Sequence, residues 1–171
     1  MSTSTLTTIG ADRTGSDRRY CTFFLGDLYL GVPVTKVQEV IRAQERTRVP
    51  LVSSVVNGLM NLRGEIVTTI DLRRRLELPP LQAGVESMNV VIRSDEGVVS
   101  ILVDEIRDVL EVGNAEFESV PATLRGPCRE LVSGIYKLDG ALLLILDTDR
   151  LLDIPAPTHT INANHDQTET P

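Results

Sequence analysis

Tryptophan is absent, tyrosine and phenylalanine number three each, and two cysteines and two histidines are all the thiol and imidazole chemistry the 171 residues carry. Each scarcity excludes something. With six aromatic side chains and 17 basic against 24 acidic residues, a net charge of −7, the chain lacks the basic face and stacking platforms of a nucleic-acid binder. Cys21 and Cys128 stand far apart, with no CxxC pair and no nearby histidine, so they form no metal site and read as two buried, reduced thiols. His159 and His165 both fall in a stretch of Pro, Thr, Asn and Gln after Ile154, which removes the commonest general base from the folded part. The longest apolar run is Ala141–Leu146, far short of the roughly 20 residues that a membrane-spanning helix needs. Met1–Asp12 is Ser/Thr-rich and has no basic start followed by an apolar block, so it does not read as an export signal and the cytoplasm is expected.

What is present is a body of short β-patterned segments over 19–154, between loop-like tails at 1–18 and 155–171 that are expected to be disordered. Tyr20–Leu25, the Gly26-Asp27 turn and Leu28–Val32 predict a hairpin that Pro33 ends. Val34, Val37 and then Val40 or Ile41 recur at a spacing that fits one or two helical turns, while their β-branching fits a strand equally well. Val55–Leu62, Arg63-Gly64 and Glu65–Leu72 predict a second hairpin, followed by a short helix over Asp71–Leu78 with Asp71 as its cap. Met88–Arg93, a turn at Asp95-Glu96-Gly97 and Val98–Val103 predict a third hairpin.

The pattern then runs again. Val103–Leu110 repeats the apolar and polar order of Val34–Ile41 at an offset of 69. Gly134–Gly140, Leu142–Leu146 and Asp147 repeat Gly58–Gly64, Ile66–Ile70 and Asp71 at an offset of 76, and Arg74 and Leu76 are answered by Arg150 and Leu152. The longer middle connection of the second copy, around Phe117–Arg129, absorbs the difference. The fold class is therefore mainly β with short helices: two small β-barrels related by a pseudo-twofold internal repeat. The first covers about 20–80 and the second about 88–154, with strands kept within each half or exchanged between them. A barrel of roughly 60 residues buries only about 60% of its unfolded surface. The copies are thus expected to share one packed interface.

Catalytic signatures are missing: there is no GxSxG, HExxH or GxxxxGK[ST]. The glycine turns near Gly26 and Gly64 lead into strands, whereas phosphate cradles lead into a helix N-terminus. Glu105 with Asp108, and Asp147 with Asp149, are close carboxylates of the kind 24 acids produce by chance. The class that remains is an interaction module working through edge strands and inter-barrel grooves, without cofactor or metal. A small-molecule-binding barrel and a carboxylate-based hydrolase are the competing readings. Gly58, Gly64, Gly134 and Gly140 read first as turn or bulge glycines, and Arg73-Arg74-Arg75 as the wet side of a short helix.

Lys36-Val37-Gln38-Glu39-Val40, Gly58, Asn61-Leu62-Arg63-Gly64-Glu65-Ile66-Val67 and Ile70-Asp71-Leu72-Arg73 together resemble the CheW family of chemotaxis coupling proteins. The likeness runs from about Tyr20 to Ile154 and includes Val103–Leu110 and Ile145-Leu146-Asp147, with the NLRG run as its most specific element. It implies two five-stranded SH3-like barrels, in agreement with the repeat. It also implies a protein without catalytic activity that bridges the cytoplasmic tip of methyl-accepting chemoreceptors to the regulatory domain of the histidine kinase CheA. Carried over by position, it implies receptor contact around Val37, Glu39, Gly58, Arg63, Gly64, Ile106 and Val109, near the groove between the barrels. Glu39 and Arg63 would face each other at exposed positions. The kinase-facing surface implied on the first barrel has no short motif to mark it. A coupling protein of another receptor-kinase array, such as one for surface motility, is the alternative within the family. Leu30, Thr68 and Ser53 depart from the usual pattern, which affects local loop shape and partner choice.

Overall fold

The computed structural model describes residues 18–50 and 52–154. The expectations for the two tails and both histidines lie outside them, apart from Arg18. The chain opens with the hairpin β1 (Arg19–Leu25) and β2 (Leu28–Pro33), followed by a 3₁₀ turn over Val34–Lys36 and the strand β3 (Val37–Arg42). The segment that fitted either helix or strand thus divides. Pro33 fixes the entry to one tight turn, and Val37, Val40 and Ile41 favour the extended form beyond it. The hairpin β4 (Val56–Leu62) and β5 (Glu65–Asp71) leads into α1 (Leu72–Arg75), and a third hairpin is β6 (Met88–Ser94) with β7 (Gly97–Val103). Then come β8 (Glu105–Glu111), β9 (Glu116–Glu118), α2 (Pro127–Leu131), β10 (Val132–Leu138), β11 (Ala141–Leu146) and α3 (Thr148–Leu152). The side chain of Asp71 accepts the Arg74 N–H, so it caps α1 as expected, and Asp147 caps α3 in the same way.

Two sheets result, a five-stranded one in the order β3-β6-β7-β5-β4 and a six-stranded one in the order β8-β1-β2-β11-β10-β9. The repeat governs both. β1, β2 and β3 correspond to β6, β7 and β8 at the offset of 69, and β4 and β5 to β10 and β11 at 76. Replacing each strand by its counterpart turns the order of the first sheet into the first five strands of the second. The hairpin that opens each copy pairs in the sheet of the other copy, in each case through a parallel contact, β5 with β7 and β11 with β2. Among the described residues, β9 is the one strand without a full counterpart. In the first copy its place is taken by a single bridge, Thr47 to Leu59.

Neither sheet is closed by a complete ladder among the described residues. In the first, the segment after β3 fills the seam, Ala43 donating to the Ser87 carbonyl at 3.3 Å and Thr47 exchanging two 2.8 Å bonds with Leu59. The cylinders expected from the sequence are therefore SH3-like sheets that leave a seam open. The largest apolar cluster lies between the sheets and draws on both, with Phe23, Leu30, Val32, Leu144 and Leu146 from one and Ile70, Val90, Ile92, Ile101 and Val103 from the other. Leu72, Leu131 and Leu151 of the three helices complete it. Each such side chain contributes about 1.5–3 kcal/mol on burial, so the shared interface holds the fold together. Met60, Val67 and Val91 fill the first sheet, and Tyr20, Val112, Tyr136, Leu143 and Ile145 the second.

Two expectations need correction. Cys21 is buried but Cys128 is only half-buried, because α2 turns Leu131 inward and leaves the thiol near its rim; burial raises both thiols above their ordinary pKa. The arginines of α1 are a wet face only in part: Arg74 is exposed, Arg73 and Arg75 are half-buried, and each is engaged. Arg73 is held by Asp104, Arg74 donates to the Ser54 carbonyl at 3.0 Å, and Arg75 reaches the carbonyls of Arg150 and Asp153, each at 3.0 Å. Their long stems let the guanidinium heads reach backbone acceptors well away from their own helix. No helix among the described residues is long and apolar enough to cross a membrane.

Candidate functional site

The β4–β5 hairpin turns on two residues, Arg63 at φ +53° and Gly64 at φ +90°. Two consecutive positive φ values are the mark of a type I′ turn, whose twist matches the flanking strands. Asn61 stabilises it, its Oδ1 accepting the Gly64 N–H at 2.8 Å. The turn projects Arg63 into solvent, where its side chain is 79% exposed, and Nη2 donates to Oε2 of Glu39 at 2.9 Å. Glu39 stands on β3 just past a bulge between Val37 and Glu39. β3 and β4 are the two edges of their sheet, so the pair spans the open seam. Contrary to the exposed position expected for it, the Glu39 side chain is only 15% exposed, and its Oε1 is buried with no hydrogen-bond partner among the described residues. One carboxylate oxygen is thus held by an exposed arginine while the other has no donor. That is a weak lock and a strong orientation.

The remaining predicted residues fall into separate groups. Val37 and its repeat counterpart Ile106 are both half-buried against the central cluster. Val109, on the edge strand β8, is 56% exposed. Gly64 is open to solvent, whereas Gly58 is buried at a bulge where a Cβ would lie 2.6 Å from the Thr47 carbonyl oxygen. Gly58 therefore lets the seam segment cross β4 and presents no surface. Glu39, Arg63 and Gly64 come together with Val37 beside them on β3. Ile106 and Val109 lie on the other sheet, and no hydrogen bond or ion pair joins the two groups among the described residues.

Position by position, the second copy has Asp108 for Glu39 and Asp139 for Arg63. Both are exposed, and neither has an ion pair among the described residues. Asp108 is occupied through its backbone, its carbonyl accepting the Thr22 hydroxyl at 2.7 Å.

Sequence reasoning missed a second one-sided pair. Arg73 donates Nε and Nη2 to the two oxygens of Asp104, at 2.8 and 2.5 Å, and Asp104 also accepts the Gly26 N–H at 2.7 Å. Burial pushes the Asp104 carboxyl up, but the Arg73 hydrogen bonds, the Gly26 N–H and the Arg73 charge together hold it below its ordinary value. The repeat carried the signal. Arg73 is matched by Asp149 and Asp104 by Thr35, so both positions break the copy at once, as Glu39 and Arg63 do. This pair ties α1 to the β1–β2 turn and the β7–β8 junction, which sets how the halves sit at the open edge.

Residues 19–156 match the CheW-like domain. The chain belongs to the CheW-like family. It is 34% identical to the chemotaxis protein CheW of Bacillus subtilis (strain 168) over 131 residues, 77% of this chain and 84% of that protein. To protein FrzA of Myxococcus xanthus it is 28% identical over 125 residues, 72% of this chain and 77% of the relative. The solved scaffolding protein TtCheW from Thermoanaerobacter tengcongensis shares the fold with a TM-score of 0.73 at 22% identity, covering 82% of this chain and 95% of that one. As a CheW-like chain it has the two SH3-like units that the repeat implied. The NLRG run that first carried the resemblance is the hairpin turn holding Arg63 over Glu39.

Proposed function

We propose that this chain is a non-catalytic adaptor of chemotaxis signalling that couples chemoreceptors to the histidine kinase CheA, holding the receptor tip and the kinase regulatory domain at a fixed relative geometry. It works in the cytoplasm, recruited to receptor arrays, and needs no cofactor. The receptor meets Val37, Glu39, Arg63 and Gly64 on one side and Ile106 and Val109 on the other, and Gly58 sets the crossing that places the first group. The observation that carries this reading is the Arg63–Glu39 pair. It is exposed on one side, spans an open seam, contributes only about 0–1 kcal/mol as a surface ion pair, and is absent from the symmetry-related position. The Arg73–Asp104 pair is one-sided too, but it is largely buried and bonded three times, so what marks the first pair for docking is the exposure of Arg63 at the open seam.

Signal passes through such an adaptor only if it contacts the kinase's states differently. The test is a three-component pull-down with a receptor cytoplasmic fragment and the kinase regulatory domain. The adaptor reading predicts that each binds the chain separately and that the two are recovered together only when the chain is present. Recovery of neither, alongside stabilisation by a metabolite in a thermal-shift screen, would favour the ligand-binding barrel instead. The likeness to FrzA, a relative not named for chemotaxis, supports a second array type within the family. Pull-downs with kinases from different arrays of one cell separate the two.

A further inference from the structure

The interiors of the two sheets, related by the repeat, differ: the second is aromatic and aliphatic, whereas the first sets polar side chains beside Met60, Val67 and Val91. In the second, Tyr20 and Tyr136 meet tilted at a centroid distance of 5.6 Å, the half-exposed Phe117 covers Tyr136 at 4.8 Å, and Ile145 fills the space beside them. At the matching positions the first has Asn89, Met60, Arg46 and Thr69, and Ser100 stands where the second has Gly31. Thr69, Asn89 and Ser100 are each 0% exposed, and Thr69 Oγ1, Asn89 Oδ1 and Ser100 Oγ have no hydrogen-bond partner among the described residues. Three such atoms in one small interior run against the rule that buried polar groups are satisfied, and each costs about 1–3 kcal/mol if left so. Thr69 and Ser100 are direct cross-strand partners, as are Asn89 and Leu102.

None of the three lines a cavity, but their strands lead to one. A cavity of about 120 Å³ opens at this end of the sheet, lined by Arg46, Asn57, Asp71, Ser87, Leu102 and Asp104 among others. By strand alternation Thr69 shares a face with Asp71, and Ser100 with Leu102, each one step deeper. The carboxylates of the mouth are already matched. Asp71 caps and pairs with Arg74, and Asp104 takes Arg73 and the Gly26 N–H. Arg46 is the cation of the mouth without a direct partner: its Nη1 is buried, and no hydrogen bond or ion pair holds the guanidinium among the described residues, although the Asp71 charge lies near. Burial lowers its pKa, and the nearby Asp71 charge acts against that.

We propose that the mouth of the first sheet is a site for a small oxyanion, a carboxylate or phosphate, bound by the Arg46 guanidinium, with Thr69 and Ser100 one step below it on the faces of Asp71 and Leu102. A guanidinium is a donor that suits an oxyanion, and the Thr69 and Ser100 hydroxyls can donate to one that reaches past the lining. The site is independent of Arg63 and Glu39. The group bound is either that of a free solute or one borne by a partner's side chain, and both share this chemistry.

The test titrates the full chain with inorganic phosphate, and separately with acetate, against sodium chloride at matched ionic strength, following the amide resonances of Ser87, Asn89 and Ser100. A saturable shift is expected with at least one of the two anions. Arg46→Met should weaken it by about tenfold or more, as loss of one charge-assisted contact implies. Arg46→Lys, which keeps the charge, should retain most of it. Thr69→Ile, the second copy's own residue, should weaken it while preserving the fold. Absence of a saturable shift with either anion, or an unchanged response in a folded Arg46→Met protein, overturns the site. Repeating the phosphate titration with the kinase regulatory domain bound assigns the source: competition means a partner's side chain, and no competition a free solute.

Discussion

Arg63 and Glu39 meet at 2.9 Å, yet the burial of one and the exposure of the other set what a substitution does. Arg63→Glu puts two carboxylates at the seam. The exposed partner carries little stability, so the melting temperature should fall by no more than about 2–4 °C, while capture of the receptor fragment is lost. If the variant unfolds instead, the pair is structural and the docking assignment fails. Asp104 behaves in the opposite way. Its side chain is 15% exposed and bonded three times, so Asp104→Asn should cost about 1–3 kcal/mol in denaturant unfolding. Because the folded carboxyl sits below its ordinary value of 3.8, its contribution is complete above that value and is lost as the pH falls through the lower folded one. The wild-type stability curve should therefore drop on acidification below about pH 4, and the Asn variant should lack that part of the drop. Equal acid slopes in the two proteins would contradict the pairing. Of these residues only Glu39 and Arg63 were legible in the sequence, through the NLRG context. Asp104 and Arg73 are 31 positions apart, and only the fold brings them together.

The hairpins were the most legible elements, because period-2 apolar runs bounded by Gly-containing turns have few other solutions. β4 and β5 fall within a residue of the expected segments. Less visible were elements whose partners lie far along the chain. β9 is three exposed residues, Glu116-Phe117-Glu118, and exists because β10 offers it an edge. The two bulge glycines show what a local rule can reach. Both stand where a crossing segment comes down onto a strand, Thr47 over Gly58 and Phe117 over Gly134. Gly58→Ala should lose about 2–3 kcal/mol, since it meets backbone at 2.6 Å and has a φ of +153°. Gly140→Ala, with φ +74° and open space around it, should lose only about 1 kcal/mol. Urea titrations of the two variants check the order, and equal losses would mean that the crossing at Gly58 is not tight.

At the scale of the whole molecule, the repeat read from the sequence predicted two matching units, and the structure adds that each borrows the opening hairpin of the other. No local pattern shows that exchange: a hairpin looks the same whichever sheet it joins, and the choice is made by the central cluster that both sheets line. With strands exchanged and one shared core, thermal unfolding should be a single transition, coincident by far-ultraviolet circular dichroism and by calorimetry. Two separated transitions would show that the units are stable apart. The same architecture presents two unlike faces, one bearing the Arg63–Glu39 pair and one bearing Asp139 and Asp108. The most direct test is phosphorylation of the kinase in the presence of receptor, measured with and without this chain. The adaptor account predicts that receptor control of the kinase appears only when the chain is added and that the chain alone turns over nothing. Equal receptor control in its absence would contradict the account.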